Sequence, residues 1–277
     1  MTNDLRATYL RALQTIADAG GIEGDALRPI ACPFDPAMPA DRLGLAMIAA
    51  ALHERQRRGY AVEWDAVNRD VLTMIAFPNG ASSLPMFEAS AALSMLSLIR
   101  SSHEREALLH AYVMRVVRAI NDRSAMQPIA YVLTELTANI WDHAETERGF
   151  VVAGIDRHAL VIAVVDAGLS IPLSYDRRGI KFPDSPSHDL AAIDAALEGR
   201  SARPQGERGY GLRTSAALVM DGWSGSFLLA SRRALRYRAP GGSPLGEVGL
   251  SPWAGTVVAV TLPLPLRPVD LYAYVER

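Results

Sequence analysis

Residues 129–144 read IAYVLTELTANIWDHA, and the rest of the chain is best taken outward from them. At 3.6 residues per turn, Glu135, Asn139, Asp142 and His143 fall on one side of a helix. Val132, Leu133, Leu136 and Ile140 line the neighbouring arc and face a core. Solvated helix faces usually carry Lys and Glu, whereas Asn is a poor helix former. A row of carboxylate, amide, second acid and imidazole therefore reads as a site-bearing face. The plainer alternative is a surface helix with a chance Asn.

Composition bounds the function. With 277 residues, 49% of them apolar, the chain can bury one large core or two ordinary ones. A net charge of −2 and a pI of 6.3 leave no basic field for nucleic acid or an anionic membrane. No apolar run nears the ~20 residues that span a bilayer. The opening MTNDLRATYLRALQTIADAGG carries acids and lacks the continuous apolar core of a signal peptide. The single cysteine, Cys32, excludes an internal disulfide and a cysteine-rich zinc site, and reads as a buried thiol. A cytoplasmic protein with no nucleic-acid or membrane partner is expected.

Before the central helix, residues 4–18 and 41–58 show amphipathic helical spacing, and 28–33 and 60–67 read as short strands. Residues 71–75 and 89–99 read as further helices around the turn signal Pro78-Asn79-Gly80. This alternation suggests a small N-terminal α/β unit over 1–102. A helix over 103–120 and a loop, NDRSAMQ, lead into the central helix. Residues 150–155 and 160–165 form two apolar β runs joined by a hairpin signal at 156–159, and LVIAVV has the character of an interior strand. Between Asp166 and Gly211 there is one short helix, 188–197; long connections of this kind are often lids. A helix over 211–220, strands at 225–230, 235–238 and 256–262, a loop over 241–252 and a short terminal helix complete the chain.

Three segments carry chemistry. Asp166-Ala167-Gly168-Leu169-Ser170-Ile171 follows the interior strand directly. A carboxylate there only accepts hydrogen bonds and suits a ligand presenting an amino group, while Gly168 lets the chain turn. An ordinary Asp-x-Gly turn is the bland reading. Arg208-Gly209-Tyr210-Gly211-Leu212 opens a helix, where backbone N–H groups and the helix dipole favour phosphate and Arg208 adds a cation. It does not follow a strand, so a dinucleotide-binding reading fails. Gly255-Thr256 begins the last strand, with a hydroxyl free for a ligand or the sheet.

Taken in order, Glu-Leu-x-x-Asn on a helix, Asp-x-Gly after a strand, Gly-x-Gly-Leu opening a helix and Gly-Thr on a strand resemble the GHKL, or Bergerat-fold, ATP-binding superfamily. The resemblance covers about residues 103–265 and sets a domain over 103–277. It implies a mixed sheet with helices on one face and an ATP lid, an α/β (α+β) fold. It implies ATP and Mg²⁺ as ligands, Glu135 as the general base and Asn139 as the metal ligand. It also implies that Asp166 reads the adenine amino group with Gly168 beside the ring, that Gly209 and Gly211 contact phosphate, and that Thr256 stands near the adenine-binding acid. The same resemblance implies that His143, Ile171, Arg208, Tyr210 and Leu212 complete the nucleotide site. His143, four residues after Asn139, is similar to the anti-sigma-factor serine kinases. Two departures stand out: Ser170 replaces the second glycine of Asp-x-Gly-x-Gly, and Asp142 replaces a lysine common in histidine kinases.

His103 begins a superficial phosphoacceptor motif, but it lies only 32 residues before Glu135, too few for a dimerising helical hairpin. The resemblance thus implies an ATPase or ATP-driven switch acting on a regulatory protein, with room for a homodimer. An anti-sigma-type serine kinase and a non-catalytic nucleotide module are the alternatives.

Overall fold

The computed structural model describes residues 4–22, 30–60, 62, 64–66, 76–90, 93–182, 187–200 and 210–275, leaving out the side chains of 64–66 and 143. Its elements, in chain order, are α1 (Leu5–Asp18), β1 (Ile30–Cys32), α2 (Asp41–Arg57), β2 (Trp64–Ala66), α3 (Leu84–Ala89), β3 (Leu96–Ile99), α4 (Arg105–Ile120), α5 (Met126–His143), β4 (Arg148–Ile155) and β5 (Ala159–Asp166). Then come α6 (Ile171–Asp176), α7 (His188–Leu197), α8 (Gly211–Ala217), β6 (Ser226–Arg238), β7 (Leu245–Pro263) and α9 (Tyr272–Val275).

The central helix forms as its spacing predicts. Ile129, Val132, Leu133, Leu136 and Ile140 are buried, while Glu135 and Asn139 are half-buried and Asp142 is exposed. The hairpin that follows closes through Asp156, whose carboxylate accepts from the backbone N–H groups of His158 (2.7 Å) and Ala159 (2.8 Å). Every residue of β5 is buried, which fits its place in the middle of the sheet.

The sheet order is β3-β4-β5-β7-β6, and each of these neighbours pairs antiparallel; β1 and β2 form a separate parallel pair. Alternation along the strands sends Phe150, Val152, Val161, Val165 and Val257 to one face, packed on α1 and α2. Val151, Ile162, Val164, Leu229 and Val258 go to the other, packed on α4, α5 and α8. The protein is thus an α/β fold with an open antiparallel sheet covered by helices on both faces. Helices on one face, as the resemblance implies, are not what the chain forms. The apolar stripes of α1 and α2 need cover, and the second face of the sheet supplies it. The expected division after residue 102 falls between β3 and α4, and β3 pairs with β4 across it.

Several local expectations are corrected. Among the described residues of 89–99 no helix continues: α3 ends at Ala89, and Leu96–Ile99 is strand. Ser83 caps α3 through the Met86 N–H, and Pro85 sits in its first turn, so the helix starts earlier than apolar spacing suggests. Met95, Leu96, Ser97 and Leu98 are all buried, a pattern of a covered strand rather than of a one-sided helix. The helix expected at 71–75 lies outside the described residues. The 121–127 loop contains a short 3₁₀ turn, Arg123–Ala125. Strands 225–230 and 235–238 are one strand, β6, because a bulge at Arg232 (φ 56°) absorbs the irregularity without ending the ladder. The loop expected over 241–252 is mostly the first half of β7, which pairs with β6 as far as Leu245.

In the long connection, residues 183–186 and 201–209 lie outside the described residues, and the described parts are packed against the rest of the fold. They include a second helix, α6, which Ser170 caps. Tyr175, Ala192, Ile193 and Ala195 are buried. Asp194 makes a two-pronged ion pair with Arg236 of β6 (2.6 and 2.5 Å), and His188 lies between Asp176 (3.2 Å) and Asp189 (3.3 Å). Amide exchange in Ala192–Ala195 should therefore be slow even in the ligand-free protein. Exchange there as fast as at the chain ends would contradict this packing. Among the described residues, no helix is long and apolar enough to cross a membrane.

Candidate functional site

Asp166 ends β5, and two features around it follow from backbone approach. Gly168 passes so close to Ala144 that a Cβ would stand 2.0 Å from its carbonyl oxygen. Gly255 leaves room for the carboxylate itself, since a Cβ there would lie 2.3 Å from Asp166 Oδ1. Only glycine fits at either place. Asp166 accepts from the Gly168 N–H (2.8 Å) and from the Thr256 N–H, and its backbone carbonyl accepts from the Trp253 indole (2.9 Å). With 3% exposure the carboxyl is raised by burial to about 7, although both N–H bonds pull it down.

Asp166 lines a cleft with about 980 Å³ of empty space, counting its open mouth. Val164, Leu229 and Val258 supply an apolar sheet wall, and Ile171 and Leu212 close on it from the connection and from α8. Glu135 and Asn139 line the same cleft from α5. The Asn139 amide nitrogen donates to the Glu135 carbonyl (3.0 Å), which leaves its oxygen as the acceptor available to the cleft. Glu135 is half-buried; burial first, and Asp142 second, push its carboxyl above the ordinary range. Gly211 rests on this side chain, where a Cβ would come within 1.8 Å of Glu135 Oε2.

The structure thus gathers Glu135, Asn139, Asp166, Ile171, Gly211, Leu212 and Thr256 around one cavity, with Gly168 at the turn beneath it. Tyr210 is not among the lining residues; it is 52% exposed and packs beside Gly199. Arg208 and Gly209 lie outside the described residues, as does the side chain of His143. Ser170 holds no glycine-like conformation (φ −70°, ψ 156°), so its place in the motif is that of a helix cap.

No protein-family model, curated protein or solved structure matches this chain.

Other lining residues have no motif to announce them. Arg200 and Tyr175 join the cleft from the long connection, tied together by the Tyr175 hydroxyl donating to the Arg200 carbonyl. Ser231 holds the connection to the sheet: its hydroxyl accepts from the Ile171 N–H (2.9 Å) and donates to the Gly255 carbonyl (2.8 Å). Among the described residues, no three His, Cys, Asp or Glu side chains gather as a metal site. A hard cation would have Asn139 as its protein ligand, with its other ligands drawn from water and from a bound anion.

Proposed function

We propose that the cleft binds an adenine nucleotide with Mg²⁺, and that the protein is a regulatory ATPase or ATP-driven switch of the GHKL type acting on a protein partner. One observation carries this reading: a buried acceptor, Asp166, lines the same apolar-walled cleft as Glu135 and Asn139. That set of groups suits a flat, largely apolar ring that carries an amino group and is joined to a charged, cation-bearing group.

The residues divide the work. Ionised Asp166 accepts from the exocyclic amino group, having lone pairs beyond those that the Gly168 and Thr256 N–H groups use. Val164, Leu229 and Val258 cover the ring and exclude water. The Asn139 oxygen would hold the cation. The bound Mg²⁺ nucleotide supplies an electrophilic terminal phosphorus with its charge partly neutralised. Glu135 takes the proton of a water whose oxygen bonds to the terminal phosphorus as that phosphorus loses its bond to the departing ADP oxygen, giving inorganic phosphate. Its raised pKa makes it a stronger base than an exposed glutamate.

Calorimetry with Mg²⁺ and a non-hydrolysable ATP analogue tests the reading. Micromolar or weaker binding is expected, with the GTP analogue weaker by about 1–3 kcal/mol because its ring presents an acceptor to Asp166. No heat and no thermal shift at millimolar ligand would overturn the proposal. Equal affinity for the two bases would reduce Asp166 to a turn residue.

A further inference from the structure

A groove with about 1020 Å³ of empty space, counting its open mouth, lies between α7, α8, both ends of β6 and the β6–β7 turn. Leu197, Ala217, Met220, Phe227 and Tyr237 give it an apolar lining, in which Phe227 is buried and the others are half-buried. Neither the motifs nor the nucleotide reading uses it.

The helices that wall it also wall the nucleotide cleft. Arg213, Ala216, Ala217 and Met220 line the groove at the i, i+3, i+4, i+7 spacing of one helical face. Met220 falls in a π turn, Leu218–Gly222, a rare form that recurs at functional sites. Gly211 and Leu212, at the start of the same helix, line the cleft instead. The α7 segment is shared likewise: Asp194 and Leu197 line the groove, while Ala196 and, just past the helix, Arg200 line the cleft.

The charges around the groove do not cancel. Each acid that lines it already has a basic partner: Asp194 has Arg236 (2.6 and 2.5 Å), Asp221 has Arg238 (3.6 Å) and Glu198 has Arg200 (3.0 Å). Arg213 is exposed and meets no carboxylate among the described residues. Arg267 donates to the backbone carbonyls of Asp221 and Gly222 and likewise meets no carboxylate there. Two unanswered cations beside an apolar surface complement a partner that brings acids and apolar side chains together.

We propose that this groove receives an acidic amphipathic segment of a protein partner, and that nucleotide in the cleft changes its affinity through α7 and α8. The docking site stands on the groove alone; the coupling rests on the nucleotide reading. Apolar side chains of the segment cover Leu197 and Met220, and its carboxylates pair with Arg213 at the rim. A basic segment meets like charge there.

Fluorescence anisotropy with a labelled peptide of about 18 residues, Leu and Glu at helical spacing, tests both parts. A Lys-for-Glu peptide reverses its charge, and a scrambled peptide loses its apolar face. The Glu peptide should bind about tenfold more tightly than either, and less tightly as salt is raised. Arg213→Glu should erase the preference for the Glu peptide, and Met220→Gln should weaken all binding. Both side chains lie outside the cleft, so calorimetry of each variant with Mg²⁺ and the non-hydrolysable ATP analogue should match the wild type. Bound analogue should change peptide affinity about fivefold or more, and saturating peptide should change analogue affinity by the same factor. Equal binding of the Glu and Lys peptides, or a Glu preference kept in Arg213→Glu, would overturn the docking site. A wild-type dimer that Arg213→Glu dissociates in sedimentation would give the groove to a second copy and overturn it equally. Bound analogue with unmoved peptide affinity would overturn the coupling while the nucleotide reading stands. Absence of analogue binding would remove the nucleotide reading and the coupling together, and the peptide results would still decide the docking site.

Discussion

Glu135→Gln is expected to slow ATP hydrolysis by about 10²–10⁴-fold while leaving nucleotide affinity near the wild-type value. Gln keeps the length of the side chain and one acceptor oxygen, so it fits beneath Gly211, where no atom larger than hydrogen has room. What it loses is the ability to take a proton. Because burial and Asp142 raise the Glu135 carboxyl, the wild-type rate should climb with pH as that group ionises, at a higher pH than for an exposed glutamate. Asp142→Asn should move this inflection down. Product analysis separates the functional classes. A water-activating base gives free phosphate from the purified protein, whereas an anti-sigma-type kinase turns over only when a serine-bearing acceptor is added. Unchanged rates in Glu135→Gln would leave a nucleotide module without catalysis.

Much of this cleft was legible because its residues sit where periodicity is strict. Glu135 and Asn139 are one helical turn apart, and Asp166 shares its strand face with Val164 by simple alternation. The β4–β5 hairpin could be read from two apolar runs around Asp156. What failed to show is what depends on tertiary cover. Nothing local in Met95–Leu98 distinguishes a buried edge strand from a buried helix, and only pairing with β4 decides it. The bulge at Arg232 joins two apparent strands into one, at a non-glycine residue that no turn rule would select. Helices on the second face of the sheet were likewise invisible, since an amphipathic stripe reports that a helix packs but not on what. Arg200 reaches the cleft, and Ser231 ties the connection to the sheet, from distant elements that no spacing marks.

The same buried carboxyl that suggests adenine should also govern how stability depends on pH. Asp166 has an ordinary value of 3.8 when exposed and about 7 in the fold. Between these values the native state holds a proton that the unfolded chain has released, so the unfolded state binds fewer protons and stability falls as pH rises. The contribution is fully present below about 4 and is lost as pH climbs through about 7, a change of at most about 4 kcal/mol. Urea denaturation at pH 5 and pH 8 reads it directly. In Asp166→Asn, which keeps an acceptor for the Gly168 N–H but has nothing to ionise, this part of the slope should vanish. Glu135 is raised in the same sense and Glu54 is lowered by its arginines, so the difference between wild type and variant, rather than either curve alone, isolates Asp166. Ligand binding should run the opposite way. An amino donor needs the ionised carboxylate, so adenosine, which has no phosphate to titrate, should bind about tenfold more weakly at pH 6 than at pH 8. A flat adenosine profile with the stability slope intact would mean that Asp166 is buried for the sake of the β5–β7 junction, held by Gly168 and Thr256 alone.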